Sequence, residues 1–490
     1  MHFWRKPSLG VQREVANLPY CLDLREDKRK TRSMDQTQLL ATDLLRASLN
    51  LKTEPLKQGH PFYVDLSAVT QNVAVSRLEA ALEEALLEEF PTMHLAFEGH
   101  RGCGKSTELN RVAENLKDNF FSVHLYLDGS LSNDLDYPDL LLWMVESIAK
   151  ELHERGMNPP AELVEKIGAW FAEVTEIEQT MRKAELTVQA EAQASTAADF
   201  FGNGYKLLAR LKSAVSGNAE FKRESRRRIK NNHDQLFSLV NTFLLNAQQS
   251  LGGKKLLIIQ DNLDRLEEES AYAIFKTSGN LLKRLEGVFI WTVPVGSRLS
   301  FNIGTVFDNP IFLPLISLRN REGTVQEKLL ALFKELLGKR LSLEDCFDNT
   351  SIARQDETAL RDLILYSGGS VRDLLKLTAT AATHARVKKR QQIMKEDVEY
   401  AACNLALGIM RVLSPSTAYG KVLVALHKTK ALPFTSESEI EDAKRQKEVF
   451  HTLVDADALF VYNGASIWYD IHPALLSLQD FQSLVQETSV

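Results

Sequence analysis

A glycine-rich run at residues 99–106 constrains this chain more than any other feature of its sequence. It reads Gly-His-Arg-Gly-Cys-Gly-Lys-Ser and fits the pattern GxxxxGK[ST] at every fixed position. The apolar run 93–97 precedes it and a helical pattern follows it, which is the context that this motif requires. The glycines let backbone N–H groups converge on a phosphate, the lysine adds a positive charge, and the serine hydroxyl is a Mg²⁺ ligand. The run therefore predicts a phosphate-binding loop (P-loop) that opens a helix.

Every residue of this loop is a candidate nucleotide contact. We expect Lys105 to contact the β- and γ-phosphates and to take part in catalysis, and Ser106 to ligate Mg²⁺. The predicted nucleotide-binding residues are Gly99, His100, Arg101, Gly102, Cys103, Gly104, Lys105, Ser106 and Thr107.

Short apolar runs predict the sheet on which this loop lies. Residues 93–97, 121–127, 256–260 and 288–295 are apolar, and each is followed by a glycine-rich turn or a helical pattern. Strand–helix–strand spacing of this kind predicts a buried parallel sheet with helices on its faces. Residues 61–66 predict one further short strand before the core.

A long segment with little strand signal separates the second and third predicted strands. We interpret roughly 150–250 as a helical insertion, because a simple loop is rarely that long. The run 222–230 within it is strongly basic. Such a run is typical of a solvated helix face, and the alternative is a contact with phosphate or with an acidic partner.

A carboxylate follows the third predicted strand. The apolar run 256–260 is followed by Asp-Asn-Leu-Asp-Arg over residues 261–265. A P-loop enzyme needs a carboxylate at the end of a neighbouring strand to hold Mg²⁺ through water, and Asp261 is the candidate for this role. Lys105 and Asp261 in this order predict a nucleotide-binding site that also holds Mg²⁺.

This combination resembles the AAA+/STAND assemblage of NTPases, which includes origin-recognition-type and KAP-like ATPases. The resemblance implies ATP and Mg²⁺ as cofactors and hydrolysis of ATP to ADP and phosphate. In that assemblage a second acidic residue after the strand polarises the attacking water, whereas this chain has Asn262, which cannot act as a base. Either Asp264 substitutes for it in catalysis, or a partner completes the site, or hydrolysis is slow.

The resemblance also implies two sensor residues. Thr292 or Ser297, on or just after the fourth predicted strand, matches the polar sensor 1, and a structural threonine is the alternative. Arg372, which follows a Gly-Gly pair near a helix start, matches sensor 2, whose guanidinium reaches the γ-phosphate; the alternative is an ion pair with Asp373. Arg265 implies either a structural ion pair or an arginine finger toward a neighbouring subunit.

The whole pattern predicts an α/β P-loop NTPase: a parallel sheet flanked by helices, with an all-α insertion, an all-α lid domain and a C-terminal winged-helix-like domain. The last of these is inferred from helices followed by two apolar runs around Asn463-Gly464, which is a strong hairpin signal. The expected divisions are an N-terminal helical arm at 1–55, the core at 56–310 with its insertion at about 150–250, the lid at 311–410 and the winged-helix-like domain at 411–490.

Composition excludes several other classes of protein. The four cysteines never form a CxxC or CxxH spacing, which excludes a zinc ribbon or a disulfide scaffold and is typical of a reducing compartment. No apolar stretch approaches the roughly 20 residues of a membrane span, and the polar residues 1–30 contain no signal-peptide pattern. We therefore expect a cytoplasmic protein without a membrane partner.

Three functions remain open. The first is a regulatory ATPase that forms a homo-oligomer or controls a protein effector, and the resemblance implies a setting such as prokaryotic anti-phage defence. The second is a DNA-associated ATPase of the origin-recognition or transposition-helper type. Residues 411–490 carry seven Lys/Arg against ten Asp/Glu, which disfavours nucleic acid because a DNA-reading wing should be basic. The third is a nucleotide-binding scaffold with little hydrolysis, which Asn262 permits.

Overall fold

A computed structural model describes most of the chain from residue 40 onward. The described residues are 40–67, 73–127, 134–157, 161–176, 208–209, 211–214, 218–297, 301–348, 358–413, 417–432, 440–463 and 467–487. The predicted N-terminal arm lies outside them as far as residue 39, as does the middle of the predicted insertion, 177–207.

Five parallel strands form the central sheet. They are β1 (Met93–Gly99), β2 (Phe120–Tyr126), β3 (Lys255–Asp261), β4 (Val288–Val293) and β5 (Asp308–Leu313), in the spatial order β2-β3-β4-β1-β5. The fold class predicted from the sequence, a parallel sheet flanked by helices, is confirmed. The edge strand β5 was not predicted, because it contains Pro310 and two polar residues in six positions, which weakens a strand signal.

Helices surround this sheet and continue beyond it. Their bounds are α1 Leu44–Asn50, α2 Ala74–Glu84, α3 Lys105–Asn115, α4 Tyr137–Glu154, α5 Ala161–Thr175, α6 Ala219–Asn231, α7 His233–Gln249, α8 Glu268–Ala271, α9 Gly279–Leu282, α10 Glu327–Gly338, α11 Leu343–Cys346, α12 Ala359–Tyr366, α13 Val371–Val387, α14 Lys395–Val412, α15 Thr417–Thr429, α16 Ile440–Asp455 and α17 Gln479–Glu487. In the described part of the chain, no helix combines the length and the apolar character that a membrane crossing needs.

The two faces of the sheet bury alternate residues of each strand. On β3, Leu256 and Ile258 pack with α4 to α7, whereas Leu257 and Ile259 pack with α2 and α3. Side chains of a strand point alternately to opposite faces, so a sheet that is covered on both faces reads as a continuous apolar run. This is why the sequence pattern located four of the five strands.

The basic run of the insertion is largely neutralised within the chain. It forms α6, which buries Phe221 and Ile229 on one face. Arg226 donates to Asp139 at 2.8 Å and to Asp134 at 2.6 Å, and Lys230 pairs with Asp136. These contacts hold α6 against the segment that leads into α4, so the partner of this helix is an acidic stretch of the same chain.

The helices α10 to α14, called the lid below, form a second core next to the sheet. Its buried residues include Phe333, Leu363 and Leu374, and it also takes in Leu44 and Val64 from the N-terminal side. The described part of the predicted N-terminal arm, from residue 40, therefore packs into the core of the lid helices.

The C-terminal part consists of α15 and α16, an antiparallel hairpin and α17. The hairpin strands are β6 (Leu459–Asn463) and β7 (Ile467–Ile471), with Leu459 opposite Ile471, and the turn between them lies outside the described residues. A 3₁₀ turn, Pro473–Ser477, follows. One bridge links Leu315, just after β5, to Tyr462 of β6, so the hairpin is attached directly to the core.

Candidate nucleotide-binding site

The phosphate loop lies where β1 ends and α3 begins, at the carboxyl edge of the sheet. Gly102 and Gly104 have φ of +87° and +101°, a backbone conformation that side chains with a β-carbon disfavour. A β-carbon on Gly102 would also lie 2.6 Å from the Ser370 Oγ and 2.7 Å from the Arg372 Cβ. Gly102, at a variable position of the motif, is thus required both by the curl of the loop and by the lid that packs on it.

Lys105 is buried at the base of the loop, with 5% of its surface exposed. Its Nζ donates to the carbonyl oxygens of Gly99 and His100, both at 2.7 Å, and pairs with the Asp264 carboxylate at 2.8 Å. Burial opposes the charged form, but the neighbouring Asp264 carboxylate outweighs it, so the pKa of Lys105 is raised. The lysine therefore favours its charged form, and its donors are in use on two carbonyls and on a carboxylate that a phosphate could replace.

Asp261 and Ser106 are brought together beneath this loop. The fully buried Asp261 carboxylate hydrogen-bonds with the Ser106 side chain, accepts the Asn262 backbone N–H at 2.7 Å, and lies 3.0 Å from the His124 Nε2. Burial would raise the pKa of Asp261, but these contacts lower it below its usual value. An ionised carboxylate beside a hydroxyl is a set of hard oxygen donors, which is the kind that Mg²⁺ prefers.

His124 is a site residue that sequence reasoning missed. It lies on β2, and its ring stacks on Tyr126 with centroids 4.2 Å apart. The Tyr126 hydroxyl is 3.3 Å from the other ring nitrogen, which leaves the Nε2 side to Asp261. A histidine near the end of a buried strand was the available signal, and its role is to fix the orientation of the Asp261 carboxylate.

The turn after β3 gives Asn262, Asp264 and Thr292 different positions. Asn262 has φ of +67°, is partly exposed and lines the cleft beside the loop. Asp264 also lines the cleft, on Lys105. Thr292 is fully buried: its hydroxyl accepts the Leu263 N–H at 3.0 Å and donates to the Gln260 carbonyl at 3.1 Å. Both functions of that hydroxyl are used on the backbone, so Thr292 braces the turn and corrects the expectation that it contacts nucleotide.

Arg372 enters the cleft from the lid. It is the second residue of α13, whose N-terminus is capped by Ser370, and its backbone N–H lies 3.4 Å from the Gly102 carbonyl. Its side chain lines the same cleft as Lys105 and forms no ion pair among the described residues. The alternative pairing with Asp373 is not found, because that carboxylate lies 3.5 Å from His472.

Two predicted contacts of the loop face away from the cleft. The buried His100 Nε2 accepts the Val461 N–H of β6 at 2.7 Å, and Arg101 donates to the Asp455 carbonyl at 3.3 Å. Burial, assisted by the charges of Lys105 and Arg101, lowers the pKa of His100 to about 3. The side chain of His100 thus binds the C-terminal part of the molecule, and that of Arg101 binds this part and also donates to the Arg265 carbonyl at 3.4 Å. Contacts of their backbone N–H groups with phosphate stay a prediction. The loop residues that line the cleft are Gly102, Cys103, Gly104, Lys105, Ser106 and Thr107.

The opposite wall of the cleft comes from residues 53–66, which sequence reasoning did not connect with the site. The Leu56 N–H donates to the Thr107 hydroxyl at 3.2 Å, and the Tyr63 hydroxyl donates to Glu108 at 3.2 Å. Residues 61–66, predicted as a strand, form no strand and line the cleft instead. The lid completes this wall with Leu336, Arg340 and Leu375.

No protein-family model matches the sequence, and no curated protein matches it. Among solved structures, the chain is similar to Cdc6p from Pyrobaculum aerophilum, with 12% identity, a TM-score of 0.39, and coverage of 90% of this chain and 98% of that one. It is also similar to the Aeropyrum pernix ORC1 protein in complex with DNA, with 11% identity, a TM-score of 0.33, and coverage of 90% of this chain and 97% of that one. A third similar structure is the Thermotoga maritima RuvB Holliday junction branch migration motor, with 13% identity, a TM-score of 0.31, and coverage of 81% of this chain and 90% of that one. Scores this low do not identify a family, and the fold assignment rests on the sheet and loop described above.

Proposed function

We propose that this chain is an AAA+/STAND-type ATPase that binds MgATP between the sheet and the helical lid and uses the bound nucleotide to regulate a partner or its own assembly. The observation that carries the proposal is that Lys105, Ser106, Asp264 and Arg372 line one cleft. The buried Asp261 carboxylate lies directly behind it, hydrogen-bonded with Ser106. Such an arrangement suits a polyphosphate accompanied by a divalent cation.

The residues divide the work by position. Lys105 would exchange its Asp264 partner for phosphate oxygens, and the backbone N–H groups at the start of α3 would add their partial positive charge. Asp261 and Ser106 would hold Mg²⁺, which supplies charge neutralisation on the phosphates when bound. Arg372, carried by the lid, would contact the terminal phosphate and so make lid position depend on the nucleotide.

Hydrolysis would depend on Asp264. Asn262 cannot accept a proton, and Asp261 is committed to His124, Ser106 and its own backbone neighbour. Asp264 is the remaining carboxylate of the turn, and it pairs with Lys105. Phosphate binding to Lys105 would release it, so it is the candidate proton acceptor for the attacking water, and slow turnover is expected.

A regulatory role follows from the contacts of the C-terminal part. The hairpin donates a hydrogen bond to each side of the cleft: the Val461 N–H to the His100 Nε2 of the phosphate loop, and the Tyr462 hydroxyl to the Gly368 carbonyl of the lid loop at 2.8 Å. A nucleotide that moves the lid relative to the phosphate loop would therefore change the position of the hairpin. Control of a protein effector, for example in an anti-phage system, or self-assembly is the use that we propose for this change.

A DNA-associated ATPase is the second candidate. The helices and hairpin of the C-terminal part have the order of a winged helix. Two features of the C-terminal part argue against DNA binding. Its Asp and Glu residues outnumber its Lys and Arg residues. Its aromatic residues Phe460, Tyr462 and Trp468 are all buried and cannot stack on bases.

The test is mass photometry with ATP, ADP and a non-hydrolysable ATP analogue, together with steady-state phosphate release. Assembly with the analogue and disassembly with ADP would support a nucleotide-gated switch. Unchanged mass with measurable nucleotide binding would favour the scaffold. Duplex DNA binding that weakens steeply between 50 and 200 mM salt, as phosphate contacts do, would establish the second candidate instead.

A further inference from the structure

The lid contributes a buried arginine to the wall of the cleft. Arg340 follows the end of α10 and lines the cleft together with Phe62, Leu336 and Leu375. Only 3% of its surface is exposed. The phosphate loop fixes where phosphates would lie, so this largely apolar wall is the part of the cleft left for the rest of a nucleotide.

Arg340 is a buried cation without an acidic partner among the described residues. Its Nη1 donates to the carbonyls of Phe62 at 3.0 Å and Leu336 at 2.8 Å, and its guanidinium lies 5.1 Å from the centre of the Phe62 ring. Its Nε is buried and has no hydrogen-bond partner in the described structure. Burial lowers the pKa of Arg340 to about 10. A buried charge with an unused donor costs free energy, and an acceptor on a ligand in the cleft would remove that cost.

Holding the wall together does not account for an arginine here. The neighbouring Lys339 makes a comparable contact, donating to the Tyr63 carbonyl at 2.8 Å, while its side chain stays 38% exposed. A lysine at the surface thus suffices to join the lid to residues 53–66. The planar fork of Arg340 instead brings additional donors to the cleft, and a guanidinium has no acceptor.

We propose that Arg340 determines base specificity by donating a hydrogen bond to ring nitrogen N7 of a purine seated against Phe62 and the lid. Adenine and guanine both expose N7 as an acceptor, and in nucleic-acid recognition arginine donates to N7 of guanine together with O6. Pyrimidines have no such atom. The inference rests on the proposed function, because it requires that a nucleotide occupies this cleft.

The experiment compares ligands that differ only at the base. Dissociation constants would be measured by calorimetry for ATP, 7-deaza-ATP and ribose 5-triphosphate, which lacks the base, on the wild type, Arg340→Met and Lys339→Met. In the wild type, ATP should bind about ten- to a hundredfold more tightly than 7-deaza-ATP, as expected for one hydrogen bond from a charged donor. In Arg340→Met the two should bind equally, and binding of ribose 5-triphosphate should not change. Lys339→Met, the matched control, should keep the wild-type ratio.

Three other outcomes would overturn either this inference or the proposed function. Equal binding of ATP and 7-deaza-ATP by the wild type would overturn the inference even if Arg340→Met failed to fold. A loss in Arg340→Met that is the same for all three ligands would also overturn it, because the residue would then only support the wall. Failure of the wild type to bind either ATP or ribose 5-triphosphate would overturn the proposed function itself, which the first comparison alone cannot do.

Discussion

The phosphate loop presents two sides to two different regions of the molecule. On the cleft side, Lys105 and Ser106 meet Asp264 and Asp261. On the far side, His100 and Arg101 meet the backbone of the C-terminal part at Val461 and Asp455. The fixed residues Gly104, Lys105 and Ser106 thus lie on the ligand side, and two variable positions, His100 and Arg101, contact the C-terminal part. This loop of eight residues therefore connects the candidate nucleotide site with the C-terminal part, whose position would change with the nucleotide.

The largest expected effect tests whether the cleft side of the loop, and not its far side, binds the nucleotide. Lys105→Ala should weaken ATP binding by at least about a hundredfold, because it removes the buried cation that would meet the phosphates. Arg101→Ala, in the same loop but on the far side, should leave the affinity within about threefold. Both can be measured by calorimetry, with circular dichroism as the check on folding. Equal losses in the two variants would contradict the assignment of the two sides.

The sequence located the ligand side because that side is local. Eight consecutive residues, a preceding strand and a carboxylate at the end of another strand all leave patterns of short range. The far side and the opposite wall depend on pairs such as His100 with Val461 and Leu56 with Thr107, which are 361 and 51 positions apart. Periodicity and motif spacing do not report such pairs, so the contacts of the His100 and Arg101 side chains with the C-terminal part were not predicted. Thr292 shows the same limit, since only the fold reveals that its hydroxyl is already used.

The second effect separates two neighbours on the ligand side. Asp264→Asn should lower the rate of phosphate release by about a hundredfold, the range expected when a general base is lost, while ATP binding is retained. Asn262→Gly is the matched control, because glycine accepts the φ of +67° at that position without strain. It should change the rate by less than about threefold. A larger loss in Asn262→Gly than in Asp264→Asn would show that Asn262, and not Asp264, positions the water.

A smaller effect tests the attachment of the hairpin to the lid. Tyr462→Phe removes the donor to the Gly368 carbonyl, which is left buried and without that bond. The free energy of unfolding should fall by about 1–3 kcal/mol, the usual cost of leaving a buried polar group unsatisfied. Urea unfolding measures this directly. In the same variant, ATP affinity should change by less than about threefold, and a loss comparable with that of Lys105→Ala would mean that the hairpin contact and the ligand site are not separable.

The smallest effect concerns the far side alone and appears only as a function of pH. His100 accepts the Val461 N–H and must be neutral to do so, and its pKa of about 3 lies below the ordinary 6.5 because of burial and the charges of Lys105 and Arg101. Below pH 6.5 the His100 ring is protonated in the unfolded chain but stays neutral in the folded chain. The stability that His100 contributes is therefore present above pH 6.5 and is lost as the pH falls toward 3. The loss is at most about 1.4 kcal/mol of unfolding free energy per pH unit. His100→Gln keeps an acceptor that does not titrate and should flatten this dependence, while Asp455, whose pKa burial raises to about 6, titrates in both proteins and cancels in the comparison. Urea unfolding of both proteins at pH 7, 6 and 5 would give the two slopes. Identical slopes would mean that the His100 ring is not held neutral by the C-terminal part, and the two sides of the loop would then not be distinguished by what they bind.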